Sequence, residues 1–241
     1  MLEILPGVFA TPERALWIPG ERVLAVGDLH LGYESSHRAN GAPLPAMQQR
    51  HVLDTLLGLC DRFSPETVVL NGDVKHAFRH LLPQSRDVAA VCEALQARAA
   101  LIVVEGNHDG QIAPMLPEGV TLVKEHLTAG GTWFTHGHLA VAAPAGAVRR
   151  VVSHEHPSLG IRDEVGVTFR YPAYLADAAT GTVVLPAMSP WASGVDVLGL
   201  RRFNGATLAR ADIGAFRAAA ITEAGILAFG TVRKLRNVLR R

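Results

Sequence analysis

Short apolar runs alternate with amphipathic stretches along the first half of the chain. Val23–Val26, Thr67–Leu70 and Leu101–Val104 have the length and composition of buried strands. Between them, Met47–Phe63 and Gln84–Arg98 carry apolar residues at helical spacing. This order of strands and helices predicts an α/β fold with a mostly parallel sheet, in which the carboxyl ends of the strands meet at one edge.

The rest of the chain has a different pattern. Ala15–Ile18 and Val23–Val26 flank a Pro-Gly turn, which predicts a β-hairpin. Leu31–Pro45 shows no hydrophobic period and is predicted to be a polar loop. Short strands separated by turns with Gly or Pro fill the second half, which predicts a second, mixed or antiparallel sheet packed on the first. The predicted strands are Val120–Val123, Thr132–Thr135, Val148–Ser153, Val167–Arg170, Thr182–Leu185 and Ile226–Phe229.

The length and composition of the chain indicate the number of domains and the distribution of charge. The chain has 241 residues, of which 49% are hydrophobic and 19% are charged. It is long enough to bury a sizeable core and shows no linker or repeat, so we expect a single domain over residues 1–241. The net charge of +1 implies no general attraction to nucleic acid. Positive charge is concentrated in residues 201–241, and this basic C-terminal segment would either contact a polyanion or form a solvated helix face.

Three features that the sequence lacks bear on the cellular compartment of the protein. The first residues have neither the basic nor the apolar part of a signal peptide. No apolar run approaches the roughly 18–20 residues needed to span a bilayer. Cys60 and Cys92 lie in helix-like segments and are expected to be buried thiols rather than a disulfide framework. We therefore expect a cytoplasmic protein without membrane contact.

A polar cluster follows each of five strand-like runs. A lone histidine near a strand end is usually a hydrogen-bonded structural residue, but five such clusters are hard to explain by packing alone. The clusters are Asp28-Leu-His30, Gly72-Asp73, Gly106-Asn107-His108-Asp109, His136-Gly-His138 and His154-Glu-His156. Their carboxylate, amide and imidazole groups, without thiolates, suit Mn²⁺, Fe or catalytic Zn²⁺.

The number of these groups predicts two ions. They are too many for one ion that keeps an open position, and two ions bridged by one carboxylate is the natural count. Two divalent ions roughly 3.5–4 Å apart activate water and neutralise phosphoryl oxygens. The pattern therefore favours in-line displacement at phosphorus.

The order and spacing of the five clusters resemble the calcineurin-like metallophosphoesterases. Longer matches resemble one bacterial subgroup, the ligase-associated DNA-damage-response phosphoesterases called PdeM. These matches are DLHLGYE from Asp28, RANGAPLP over Arg38–Pro45, GDVKH over Gly72–His76, SHEHP over Ser153–Pro157, and LPAM over Leu185–Met188 ahead of Ser193-Gly194. The resemblance extends from about Ala25 to Val197.

This resemblance implies a four-layer α/β/β/α sandwich with two mixed sheets. It implies a two-metal-dependent phosphodiesterase, a nuclease or nucleotide phosphodiesterase linked to DNA repair, in which a metal-bridging hydroxide attacks phosphorus in line. Mn²⁺ is the expected metal, with Fe or Zn²⁺ as alternatives. The resemblance also implies partners such as a DNA-repair ligase or helicase, and a homodimer is a candidate oligomeric state.

Two other functions remain open. The same fold and ligands serve cyclic-nucleotide phosphodiesterases and phosphomonoesterases, so they do not decide the substrate. A non-catalytic scaffold of the same fold is disfavoured, because every expected ligand and His108 are present.

The resemblance also assigns roles to single residues. Asp28, His30 and His156 would hold the first metal, and Asp73 would bridge to the second. Asn107, His136 and His154 would complete the second site. His108 would face the substrate as a general acid rather than bind metal. Ser153 stands where the family generally has glycine, which puts the turn geometry in question but removes no ligand.

Several further residues have alternative interpretations. Asp109 would orient His108 or cap a helix beginning near Gly110. His76 would assist His108 or lie on a surface loop, and His138 would support the site or face solvent. Arg38 and Arg79 would contact phosphate or be solvated charges. Glu34 and His37 are weaker candidates in the same region.

Overall fold

The computed structural model describes residues 1–42, 44–78 and 81–239. Two mixed sheets and four α-helices lie within these ranges. The first sheet contains β1 Leu2–Leu5, β2 Val8–Ala10, β3 Leu16–Ile18, β4 Val23–Val26, β5 Thr67–Asn71, β6 Ala100–Val104 and β7 Thr121–Val123. The second contains β8 Leu127–Ala129, β9 Thr132–Thr135, β10 Arg149–Val152, β11 Pro157–Arg162, β12 Thr168–Asp177, β13 Thr182–Val184, β14 Val195–Asp196, β15 Arg217–Thr222 and β16 Gly225–Thr231. The helices are α1 Tyr33–Ala39, α2 Gln48–Phe63, α3 Leu82–Gln96 and α4 Val232–Leu239.

The first sheet follows chain order from β1 to β7. Its first four strands are antiparallel, and β3 and β4 form the predicted hairpin. β4, β5, β6 and β7 are parallel, because α2 and α3 carry the chain back between the first three of them. The carboxyl ends of β4, β5 and β6 therefore lie side by side.

The second sheet runs in the order β14-β11-β12-β13-β10-β9-β8, and β15 and β16 extend it from β12. Parallel pairing is confined here to the neighbours of β10 and to the β11–β14 pair. The end of β10 therefore faces the same way as the ends of β9 and β13, which brings the segments after β9 and β10 together.

Three apolar cores separate four layers. In β4, Leu24 and Val26 face α2 and α3, whereas Val23 and Ala25 face the second sheet, as the two-residue period of a strand requires. A third core lies on the outer face of the second sheet, where Val232 of α4 is buried. The predicted α/β fold with two mixed sheets is confirmed, and helices cover the first sheet more fully than the second.

The secondary structure predicted from the sequence is wrong in three places. The region predicted as a polar loop contains α1, which buries Glu34 and Ser35 and therefore lacks an apolar period. The predicted strand near residue 121 pairs with β6 in the first sheet, not with the second. The residues after Gly110 form a turn and a short 3-10 helix, Ala113–Met115, instead of an α-helix.

Other strands were not predicted from the sequence. They are β1, β2, β8, β11, β14 and β15. Cys60 and Cys92 are buried free thiols, as predicted. Within the described ranges, no helix has the length and apolar character required to cross a membrane.

The basic C-terminal segment has a structural contact of its own. The half-buried guanidinium of Arg236 on α4 donates to the carbonyls of Val197 at 2.8 Å and Leu198 at 3.0 Å, and also to that of Leu200. Arg233 pairs with Asp212. Part of this positive charge therefore fixes α4 to the loop after β14.

We expect Arg236→Met to destabilise the fold, because it leaves partly buried carbonyls without a charged donor. The loss should be about 1–3 kcal/mol in the free energy of unfolding, measured by urea denaturation. Lys234→Met on the same helix, where the side chain is exposed, is the matched control. Equal stability of the two variants would show that the Arg236 contacts contribute nothing.

Candidate metal centre

The loops after β4 and β5 continue the parallel pairing of their strands. Asp28 N donates to the Gly72 carbonyl, and His30 N donates to the Asp73 carbonyl, both at 2.9 Å. This ladder beyond the sheet edge fixes the two loops against each other and places both carboxylates at one point.

The backbone is strained at these positions. Five candidate ligands have positive φ, which is uncommon for residues other than glycine. They are Asp28 at 57°, His30 at 49°, Asp73 at 52°, His154 at 71° and His156 at 44°. Such conformations persist only where surrounding contacts enforce them, and they are typical of functional sites.

Two glycines allow the loops to approach the second sheet. A Cβ at Gly72 would lie 2.2 Å from the His136 ring, and a Cβ at Gly27 would lie 2.0 Å from Ser153 Oγ. Ser153 is fully buried, and its hydroxyl accepts a hydrogen bond from Asn71 at 2.9 Å. Asn71 also donates to the Thr135 carbonyl at 3.0 Å, so its amide joins the ends of strands from both sheets. Ser153 does not have a positive φ, so a serine fits the turn geometry at this position, where the family generally has glycine.

One ligand cluster forms around Asp28. His156 Nε2 lies 3.2 Å from Asp28 Oδ1 and 3.4 Å from His30 Nε2. The donor atoms of these three residues are all within 4.8 Å of one another. Asp28 is fully buried and also accepts from the His154 backbone N–H.

A second cluster forms around His136. Its Nε2 lies 3.1 Å from Asn107 Oδ1, 3.2 Å from His154 Nδ1 and 3.3 Å from Asp73 Oδ1. Its Nδ1 donates to the Asn71 carbonyl at 3.1 Å. That bond leaves Nε2 as the nitrogen available to a metal, the usual arrangement for a histidine ligand.

Asp73 lies between the two clusters. Its Oδ1 is 3.3 Å from His136 Nε2, and its Oδ2 is 3.9 Å from His30 Nε2. The two oxygens of one carboxylate thus face different groups of ligands, which is the geometry required of a bridge.

The protonation states suit metal binding. Burial lowers the pKa of His30 to about 4, and burial together with His136 lowers that of His154 to about 4. Both rings are neutral at pH 7 and can donate a lone pair. Burial disfavours charge on Asp28, but His156 and His136 outweigh this effect and hold its pKa below the ordinary value. Burial likewise opposes a proton on His136, but Asp73 and Asp28 raise its pKa to about 9, so a metal must displace that proton.

These residues fit a pair of hard or borderline divalent cations. The donors are oxygen and imidazole nitrogen, without sulfur, and His30 Nδ1 has no partner among the described residues. The carboxylates, amide and imidazoles converge on two points that share Asp73. The seven predicted ligands are therefore brought together as two groups.

His108 lies at the edge of this centre. Its backbone N–H donates to Asp73 Oδ1 at 2.9 Å, and its ring Nδ1 donates to the His76 carbonyl at 2.5 Å. A carbonyl can only accept, so Nδ1 carries the proton and Nε2 is left free, 3.9 Å from Asp73 Oδ2. His76 lies beside it, with ring centroids 5.8 Å apart.

Sequence reasoning missed Lys75, which holds the His108 loop. Its fully buried ammonium donates to the Ala77 carbonyl at 2.8 Å and to the His108 carbonyl. Asp109 accepts from the Lys75 backbone N–H at 3.1 Å and from Gly106 N–H at 2.9 Å. Asp109 therefore joins the loops after β5 and β6 and does not cap a helix. An apolar–polar pattern cannot reveal Lys75, because its role depends on burial.

Other candidates lie further out. Arg38 donates to the Leu44 carbonyl at 2.9 Å and lines a separate cavity on the far side of α1, and its contact with a phosphate stays a prediction. Glu34 is buried and accepts from the backbone N–H of Met47 and Gln48, so it is placed as a structural residue. Arg79 lies outside the described residues.

Two more residues lie next to the second cluster. The His138 ring lies 5.3 Å from that of His136. Glu155, between the two histidine ligands in sequence, is buried and accepts from Gly205 N–H at 2.7 Å and from Asn204 N–H at 2.9 Å. It fixes the ligand turn to the outer layer.

The model of the calcineurin-like phosphoesterase family matches residues 21–204. The chain belongs to this family. As a calcineurin-like phosphoesterase it is a metal-dependent enzyme with a dinuclear centre, and both ligand clusters lie within the matched residues.

Two solved structures are similar to this chain, and the first of them shares its fold. Pseudomonas putida nuclease MPE aligns with a TM-score of 0.64 and 20% sequence identity, over 92% of this chain and 94% of that one. Yfce, a phosphoesterase from E. coli, aligns with a TM-score of 0.40 and 15% identity, over 83% of this chain and 88% of that one. A search of curated protein sequences finds no match.

We expect Asp73→Asn to lower the affinity for both metals, because one neutral amide replaces the carboxylate that faces both clusters. Metal content after dialysis, measured per chain, should fall from two toward zero. Asp54→Asn on the exposed surface of α2 is the control. Retention of two ions by the Asp73 variant would disprove the bridging role.

Proposed function

We propose that this calcineurin-like phosphoesterase hydrolyses phosphodiesters of nucleotides or nucleic acid. The observation that carries the proposal is the pair of ligand clusters sharing Asp73, with the free Nε2 of His108 beside the shared carboxylate. Two divalent ions bound there supply an activated water and neutralise phosphoryl oxygens.

The chain's own residues supply the remaining chemistry. Asp28, His30 and His156 would hold one ion, Asn107, His136 and His154 would hold the other, and Asp73 would contribute to both. The proton that leaves the His136 ring when metal binds is lost to solvent. His108 faces the substrate; its free Nε2 takes up a proton from solvent and then donates it to the departing oxygen, while Lys75 keeps its loop in position. His76 lies against His108 and assists it at the substrate.

The space around His108 favours a diester over a monoester. One cavity extends from His108 toward His30 and His156, and a second extends away from it past Phe78. A phosphodiester has a substituent on each side of phosphorus, whereas a monoester needs room on one side.

The finer assignments come from the resemblance to the DNA-damage-response subgroup. We infer from it a DNA-repair role in the cytoplasm, Mn²⁺ as the metal, and a ligase or helicase partner. The homodimer and the single domain over residues 1–241 stay predictions.

A substrate panel tests this function. With Mn²⁺ present, linear and circular DNA, RNA, 2′,3′- and 3′,5′-cyclic nucleotides and a phosphomonoester are compared by kcat/KM. We expect nucleic acid or linear diesters to be hydrolysed fastest, and removal of metal by chelation to abolish turnover. A clear preference for a cyclic nucleotide or the monoester would favour those alternatives, and inertness of the metal-loaded protein would favour a scaffold.

We expect His108→Ala to retain two ions and to lower kcat by about 10²–10⁴-fold, because it removes a general acid and no ligand. The loss should be smaller for a 4-nitrophenyl ester, whose leaving group needs little protonation. His51→Ala on the exposed surface of α2 is the control. Loss of metal in parallel with activity would show that His108 is a ligand.

A further inference from the structure

The two cavities that meet at His108 each have an aromatic wall. The first, of about 230 Å³, is lined by Tyr33 together with the candidate ligands His30 and His156. The second, of about 530 Å³, is lined by Phe78 with Ser36 and Asn40 of α1. His76 and His108 line both, so the cavities are two arms of one cleft.

The rings form a continuous row along this cleft. Trp191 stacks on Tyr33, with centroids 6.4 Å apart and planes 14° apart. The Tyr33 ring contacts that of His76 at 4.8 Å, and Phe78 stacks on His108 at 4.3 Å with planes 26° apart. The row therefore begins at Trp191 and ends at Phe78.

These outer rings remain open to a ligand. Phe78 is 65% exposed and Trp191 is 39% exposed. Trp191 is also held in position, because its Nε1 donates to buried Glu34 at 3.1 Å. An exposed aromatic ring beside a phosphate-binding site offers a surface on which a base can stack.

We infer that the two arms are nucleoside subsites, an inference that rests on the proposed phosphodiesterase function. Tyr33, whose ring lies 4.3 Å from that of His37 and 6.4 Å from that of Trp191, contacts the base of the nucleoside that keeps the phosphate. Phe78 stacks on the base of the leaving nucleoside, because it lies against His108, which protonates the leaving oxygen.

Stacking of this kind selects for a base without reading its identity, since every base offers a π-face. The cleft therefore distinguishes nucleoside diesters from aliphatic phosphodiesters. It does not distinguish among the four bases.

Three substrates and two variants test the inference. The substrates are a dithymidine diester, its analogue with an abasic sugar on the leaving side, and its analogue with an abasic sugar on the retained side. Phe78→Leu and Tyr33→Leu are the variants, and both replace a ring by an aliphatic side chain. Phe169→Leu makes the same change at an exposed ring of β12 outside both cavities and serves as the control.

We expect a crossed pattern in KM. Phe78→Leu should raise KM about ten-fold wherever the leaving base is present, and Tyr33→Leu should do so wherever the retained base is present. Each loss should shrink when the corresponding base is absent. Phe78→Tyr and Tyr33→Phe keep the rings and should restore KM.

Equal losses on all three substrates would show that the rings only support the site, and would overturn the subsites. If the unmodified protein hydrolyses the diester but the crossed pattern is missing, the subsites are wrong and the proposed function stands. If the metal-loaded protein hydrolyses no diester, the proposed function fails and the subsites fall with it.

Discussion

Two carboxylates, Asp28 and Asp73, are buried at the junction of the two sheets, and the rest of the centre is organised around this charge. A buried carboxylate is costly unless it is paired. Here the partners are imidazoles and backbone N–H groups, which themselves lie at the ends of other strands. The first sheet supplies the charge and the second supplies His136, His154 and His156, so the centre exists only when the sheets are packed together.

The sequence was sufficient for the fold class and for the five polar clusters, because both depend on local order, whereas the division of the ligands into two groups came from the family resemblance. Apolar runs of strand length ended in polar residues, and parallel strands bring such ends to one edge. The predicted ligands Asp28, His30 and His156 form one group in the structure, and Asp73, His136 and His154 form another. Their roles in catalysis and metal binding remain predictions.

What the sequence could not provide depends on burial and on long-range contact. Lys75 and Glu34 would be solvated charges in most proteins, yet both are buried here and join separate segments. α1 was missed because its buried face is polar, and the pairing of β7 with β6 could not be read from a three-residue strand. Each of these features depends on a contact with residues that are distant in the sequence.

The positive φ angles at five ligand positions have a cost of their own. A left-handed conformation costs a residue with a side chain roughly 1–2 kcal/mol, which glycine avoids. A glycine at Asp28 or His154 would relax the backbone and at the same time delete a donor. At these few residues, a substitution that raises thermal stability therefore lowers catalytic activity. A search for more heat-resistant variants should enrich inactive ones at these positions.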